Sequence, residues 1–207
     1  LMFSLLILTA MSSFSQTTLI NPVGDGGFES GSTFAANNWV SVNGATDGWF
    51  VGSTPVVASG TNCGFVSATA GAGWTYSQTS LVIHVYKDFT IPVGESKLTL
   101  NFKWKVGGEG TTTSDWDNMK VFLAPTTYTP TTAAVTGQTQ LVGPGAVNGM
   151  YKLNSATWNN ETITFIGTPG NSYRLIFSWK SDGSAIANPP AALDDVSLVS
   201  STPGTFI

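Results

Sequence analysis

The chain has 207 residues, a formal net charge of −4 and a pI near 4.7, with 42% hydrophobic, 12% aromatic and only 10% charged residues. So few charges beside so many aromatics exclude a disordered chain, because there is ample apolar surface to bury. The eight basic residues form no stripe able to track phosphates, which sets nucleic acid aside as a partner.

Residues 1–15, LMFSLLILTAMSSFS, read as a secretory signal without its basic beginning. Leu1 to Met11 are apolar, and the small Ser13 and Ser15 precede a cleavage point that makes Gln16 the mature start. The stretch is shorter than the about 20 apolar residues that a membrane span requires, so no span is expected and the product is secreted or held at the cell surface. Cys63 is the only cysteine, so no disulfide can close within the chain. Its neighbours Asn62 and Gly64 bring no cation to activate the thiol.

Beyond Gln16 the pattern is of short apolar or alternating runs parted by Gly, Pro, Asn, Ser and Thr. In chain order, weaker strands are expected at 39–42, 49–51 and 63–68, followed by a firmer one at 80–89. Residues 98–106 alternate, with Leu98, Leu100, Phe102, Trp104 and Val106 on one face and Asn101, Lys103 and Lys105 on the other. A strand at 119–123 is followed by a Thr-, Pro- and Gly-rich stretch, 124–147, read as a long loop or an edge hairpin. Strands at 161–166, 173–180 and 193–199 complete the set, and Tyr173, Leu175, Phe177 and Trp179 share the inward face of the second of these. The expectation is an all-β protein, an antiparallel β-sandwich of one domain over 16–200, with 201–207 opening a linker to a further domain.

Two short motifs lie near opposite ends of this domain. Gly26-Gly27-Phe28-Glu29-Ser30-Gly31 precedes Trp39, and Ala192-Leu193-Asp194-Asp195-Val196-Ser197-Leu198 forms the last strand. Strand parity puts Asp194 on the face of Val196 and Leu198, which directs a carboxylate toward the core. Such a group needs a cation, several backbone N–H groups or a base. If first and last strands pair, Glu29 and Asp194 converge on one hard cation, for which calcium, an acceptor of carboxylate and carbonyl oxygens, is suited. The alternative is that Asp194 accepts backbone N–H groups and Asp195 is solvated.

The motifs GGFESG with its following Trp39 and ALDDVSL resemble those of two extracellular jelly-roll groups. One is the set of carbohydrate-binding modules that includes families four, nine and twenty-two, and the other is the MAM domain of cell-surface adhesion proteins. The likeness runs over about residues 20–200 and includes Trp49-Phe50-Val51-Gly52, LTLNFKWKVGGEG, DNMKVFL, Trp158 and YRLIFSWKSD. The resemblance implies a jelly-roll fold and, in the carbohydrate-binding families, a structural calcium held here by Glu29 and Asp194. It departs from MAM domains in lacking disulfides, so a disulfide-free, bacterial-style version is the better match.

Sugar-binding surfaces use exposed aromatics flanked by amides and carboxylates. Trp104 and Trp179 fall on inward positions, Trp39 reads as a core plug, and Trp49 and Trp158 stay open between packing and contact. Trp74, in a Gly-rich stretch, and Trp116, within Asp115-Trp116-Asp117-Asn118, are the ligand candidates, with Asp115 and Asn118 as their polar partners. Trp116 folding back over the core edge is the alternative. His84, the sole histidine, lies inside a strand and reads as structural, and no zinc-site spacing or nucleophile elbow is present. The route left to catalysis is a carboxylate pair drawn from Glu109, Asp115, Asp117 and Glu161. The expected function is a non-catalytic recognition module of a larger extracellular protein, binding polysaccharide or cell-surface glycan or mediating adhesion. A structural spacer and a glycosidase-like sandwich are the alternatives.

Overall fold

Period-two alternation can bury one face of a strand only against a second sheet, and two such sheets are what the chain builds. The computed structural model describes residues 16–203; the signal expected at 1–15 and linker residues 204–207 lie outside the described residues. Eleven strands follow in order: β1 Gln16–Ile20, β2 Val40–Val42, β3 Gly48–Gly52, β4 Cys63–Ser67, β5 Leu81–Thr90, β6 Lys97–Val106, β7 Asn118–Pro125, β8 Thr139–Leu141, β9 Asn154–Ile166, β10 Ser172–Ser181 and β11 Ala192–Ser201. One sheet runs β3-β4-β11-β6-β9 with β1 also on β11; the other runs β2-β5-β10-β7-β8, and every pairing is antiparallel. This is the expected jelly-roll sandwich. The nine expected strands are all present, and β1 and the edge strand β8 add to them.

The alternation read from β6 and β10 holds. Leu98, Leu100, Phe102, Trp104 and Val106 meet Leu175, Phe177 and Trp179 in one core. Aromatic rings knit it edge to face: Phe102 against Tyr151 and Phe177, Trp104 against Tyr151, and Tyr76 against Trp179. Each such pair adds about 0.5–1.5 kcal/mol beyond the burial of its area. Trp39 is also core, and its indole N–H donates to the Asp25 carbonyl at 2.8 Å.

The parity expected for Asp194 does not hold. Leu193 packs in the core while Ala192 packs on the outer side of the six-stranded sheet, so Asp194 points outward. Asp195 adopts a left-handed backbone, φ 49°, and the register slips between Asp194 and Ser197. This bulge turns Val196 and Leu198 back into the core. The first glycine motif docks here, since Val196 N–H donates to the Gly26 carbonyl at 2.9 Å. A Cβ on Gly26 would stand 1.8 Å from the Val196 oxygen, so only glycine allows this approach.

The 124–147 stretch contains β8, and residues 126–138 ahead of it fold over the outer face of the five-stranded sheet. Tyr128 and Val135 pack there on Phe122, Ala124 and Ile176.

Candidate functional site

Asp194 and Glu29 act on one loop. Asp194 is 0% exposed although it faces outward, because residues 57–62 cover it. Its Oδ2 accepts the N–H groups of Ala58 (2.8 Å) and Ser59 (3.2 Å), and its Oδ1 accepts that of Asp195 (2.8 Å). Glu29 holds the far end of the loop: Oε1 accepts Thr61 N–H and Asn62 N–H, both at 2.9 Å, and Oε2 accepts the Thr61 hydroxyl at 2.6 Å. Gly60, with φ 64°, makes the turn, and a side chain there would strike the Glu29 carboxylate. Asp195 is not simply solvated: it pairs with Lys103 at 2.8 Å and accepts the Ser59 hydroxyl.

The two carboxyls titrate in opposite directions. Burial, with the like charge of Asp195 adding to it, pushes Asp194 up to about 6 against the pull of its three amide donors. Desolvation also raises Glu29, but the Thr61 hydroxyl and the Asn62 and Thr61 amides outweigh it and leave the group below its ordinary value. The thiol of Cys63 is pushed far up by burial, with the charge of Asp194 adding to it. Both oxygens of each carboxylate are engaged by amide or hydroxyl donors, so a cation here would have to share them.

A second constellation lies at one end of the outer face of the five-stranded sheet. Register sets Val82, Lys180 and Asn118 side by side across β5, β10 and β7, with His84, Ser178 and Lys120 in the next row. Asp115, just before β7, pairs with Lys120 at 2.9 Å and with Lys180 at 3.4 Å, and the Lys180 ammonium also donates to the Asp115 carbonyl. Desolvation raises the Asp115 carboxyl, but its bonds to Lys120 and Asn118 bring it below its ordinary value. Asn118 is 0% exposed; its amide N–H₂ donates to Asp115 Oδ1 (2.9 Å) and the Trp116 carbonyl (3.3 Å), while its Oδ1 is buried without a partner. Val82, Asp115, Asn118, Lys120, Ser178 and Lys180, with Phe122, Ala134 and Val135 but without His84, line a depression of about 110 Å³. Trp116 follows Asp115 with 46% of its surface exposed, its indole lying against Gly110.

Trp74 is elsewhere. It packs on the outer face of the six-stranded sheet with Phe65, Phe50 and Trp158, and the Lys105 ammonium lies 5.9 Å from its ring centroid and 5.3 Å from that of Trp158. The structure therefore joins Asp115, Asn118 and Trp116 in one region and separates Trp74 from them. Of the four carboxylates considered for catalysis, Glu109 and Asp117 come together with Asp182, their nearest oxygens within 4.8 Å of one another. Asp117 is wholly buried and engaged by the Tyr76 hydroxyl and Asp182 N–H, whereas the Ser184 hydroxyl touches both Glu109 and Asp182. Glu161 sits apart on β9, accepting Gly145 N–H at 2.8 Å.

Sequence reasoning missed Lys120, Ser178 and Lys180. Outward parity on β10 was legible for the last two, but their meeting with Asn118 depends on the β7–β10 register. His84, read from the sequence as structural, has its Nε2–H shared between the carbonyls of Thr131 (2.8 Å) and Ala133 (3.0 Å).

Fold and site together define a jelly-roll β-sandwich with an amphipathic depression open on one sheet. No family model matches the chain, and no curated protein matches it. Among solved structures it is similar to a cyclase from Fischerella sp. TAU, at 16% identity and TM-score 0.54 over 92% of this chain and 100% of that one. The Stig cyclase Fisc of the same source, in complex with an indole derivative, is likewise similar, at 16% identity and TM-score 0.53 over 91% and 100%. The CBM22-1 xylan-binding domain of Paenibacillus barcinonensis Xyn10C superposes at 14% identity and TM-score 0.49 over 86% and 94%. At such identities likeness establishes the fold alone. No helix among the described residues is long and apolar enough to cross a membrane.

Proposed function

We propose that the domain is a non-catalytic, secreted recognition module of a larger extracellular protein and that it binds glycan at the Asp115–Asn118 depression. The observation that carries this reading is the depression itself, where the polar ends of Asp115, Lys120, Ser178 and Lys180 stand beside the apolar Val82, Phe122 and Val135. Sugars offer this combination: hydroxyls for Ser178, Asp115 and the two lysines, and C–H faces for Val82, Phe122 and Val135. Trp116 adds an exposed indole on the adjoining loop.

Glu29 and Asp194 are the residues that would hold calcium. The ion would supply the positive charge that the wholly buried Asp194 lacks and would fasten loop 57–62 to the six-stranded sheet. Neither residue lies among those lining the depression, which makes the role of the ion structural.

The test is a glycan array probed with the chain in calcium, repeated with Trp116→Ala and Ser178→Ala. Binding by the parent that falls at least tenfold in Ser178→Ala supports the reading, and a bare array for a folded chain overturns it. A bare array would favour the structural spacer, the reading toward which the packing of Trp74 against Trp158 and Lys105 leans.

A further inference from the structure

The outer face of the five-stranded sheet is divided in two. The row Val82–Lys180–Asn118, with Ser178 and Lys120 of the next row, borders the depression, while His84 and the rows Tyr86–Ile176–Phe122 and Asp88–Arg174–Ala124 meet residues 126–138. That strap is bolted down. Arg174 forks onto Asp88 at 2.7 and 2.8 Å, lies 4.1 Å from the Tyr86 ring centroid, and donates a further N–H to the Tyr128 carbonyl at 2.6 Å. His84 grips Thr131 and Ala133, and Tyr128 and Val135 are packed into the apolar patch below. The strap is also a wall of the depression, because Ala134 and Val135 line it.

Resting on the glycan-binding reading, we propose that this site recognises the end of a glycan chain, a single terminal sugar residue, and excludes internal stretches. A chain laid along the sheet would have to pass through the strap. The volume of about 110 Å³ is well below the about 300 Å³ at which pockets for larger ligands begin, which suits one ring. The polar groups at the depression, Asp115, Lys120, Ser178 and Lys180, can engage the hydroxyls of a single ring.

The experiment takes the sugars that score on the array as a length series, from disaccharide to hexasaccharide, and measures dissociation constants by calorimetry with the unmodified chain. A parallel series has either the terminal non-reducing hydroxyl methylated or the reducing end converted to the alditol. End recognition predicts dissociation constants equal within about twofold across the lengths and at least tenfold weaker binding when one particular end is capped. Affinity that climbs steadily with length and ignores both caps would overturn end recognition while leaving glycan binding intact. Absence of any glycan hit would overturn the reading beneath it. Lys180→Met, a change at a partly exposed side chain, ties the result to the depression: at least a fivefold loss is expected, and unchanged affinity would place binding elsewhere and refute the proposal.

Discussion

Asp115 and Asp194 each stand near the start of a central strand, β7 and β11, and differ in what surrounds them. Asp194 is sealed under loop 57–62 with three backbone amides and no lysine or arginine on its oxygens; Asp115 is about half exposed and pairs with two lysines. Their carboxyls accordingly move in opposite directions, Asp194 up to about 6 and Asp115 below its ordinary value. The lesson is that desolvation turns one aspartate into an anchor for backbone, whereas partial exposure leaves the other available to a ligand.

The comparison breaks most visibly by deletion. Asp194→Ala strands the amides of Ala58, Ser59 and Asp195, and at about 1–3 kcal/mol for each unmet buried group a loss of at least about 3 kcal/mol is expected in urea unfolding. Asp194→Asn, which keeps an acceptor, should lose less; equal losses would show that the amides are not what Asp194 serves.

Next in size is pH. The folded pKa of Asp194 lies above its ordinary 3.8, so the folded state holds the proton more tightly and protonation stabilises it. Measured in excess chelator, this contribution is complete below pH about 4 and disappears as pH rises through about 6, a change on the order of 3 kcal/mol. Glu29 works in the other sense: its lowered pKa gives stability present above its ordinary 4.5 and lost as pH falls. The difference between parent and Asp194→Asn isolates the Asp194 part, and parallel curves for the two would refute it.

Calcium sharpens the same corner. At 100 times its dissociation constant it should raise stability by about 2.7 kcal/mol, and Glu29→Gln should weaken the response. A melting temperature indifferent to both calcium and chelator removes the ion from the account. The smallest expected effect on stability is that of Asp115→Ala, within about 1 kcal/mol because exposed pairs contribute little. Its effect on glycan affinity should be at least tenfold, and a variant that binds normally would separate Asp115 from recognition.

Much of this was legible in the residues themselves. Alternation on β6 and β10 sorted Trp104 and Trp179 into the core because side-chain direction in a strand is a local property. The Asp115-Trp116-Asp117-Asn118 run announced a polar group beside an aromatic, and Asp115, Asn118 and Trp116 do meet. Asp194 was placed on the wrong face because parity assumes an unbroken ladder, and the left-handed Asp195 breaks it at no cost visible in composition. Trp74 was grouped with Trp116 because both sit in loops, although each loop covers a different sheet.

By itself the sequence determined that the chain is an all-β sandwich, which residues of its long strands are inward, and that acids and aromatics gather around Glu29, Asp115 and Asp194. Periodicity and residue chemistry act over a few residues and carry that far. Only the tertiary structure decided that Asn118 meets Lys180 and Ser178, that Glu29 and Asp194 grip one loop, and that residues 126–138 close half of a sheet. Those facts are pairings between segments distant in the chain, set by strand register, by a one-residue bulge and by the packing of a strap over an apolar patch, none of which leaves a local mark.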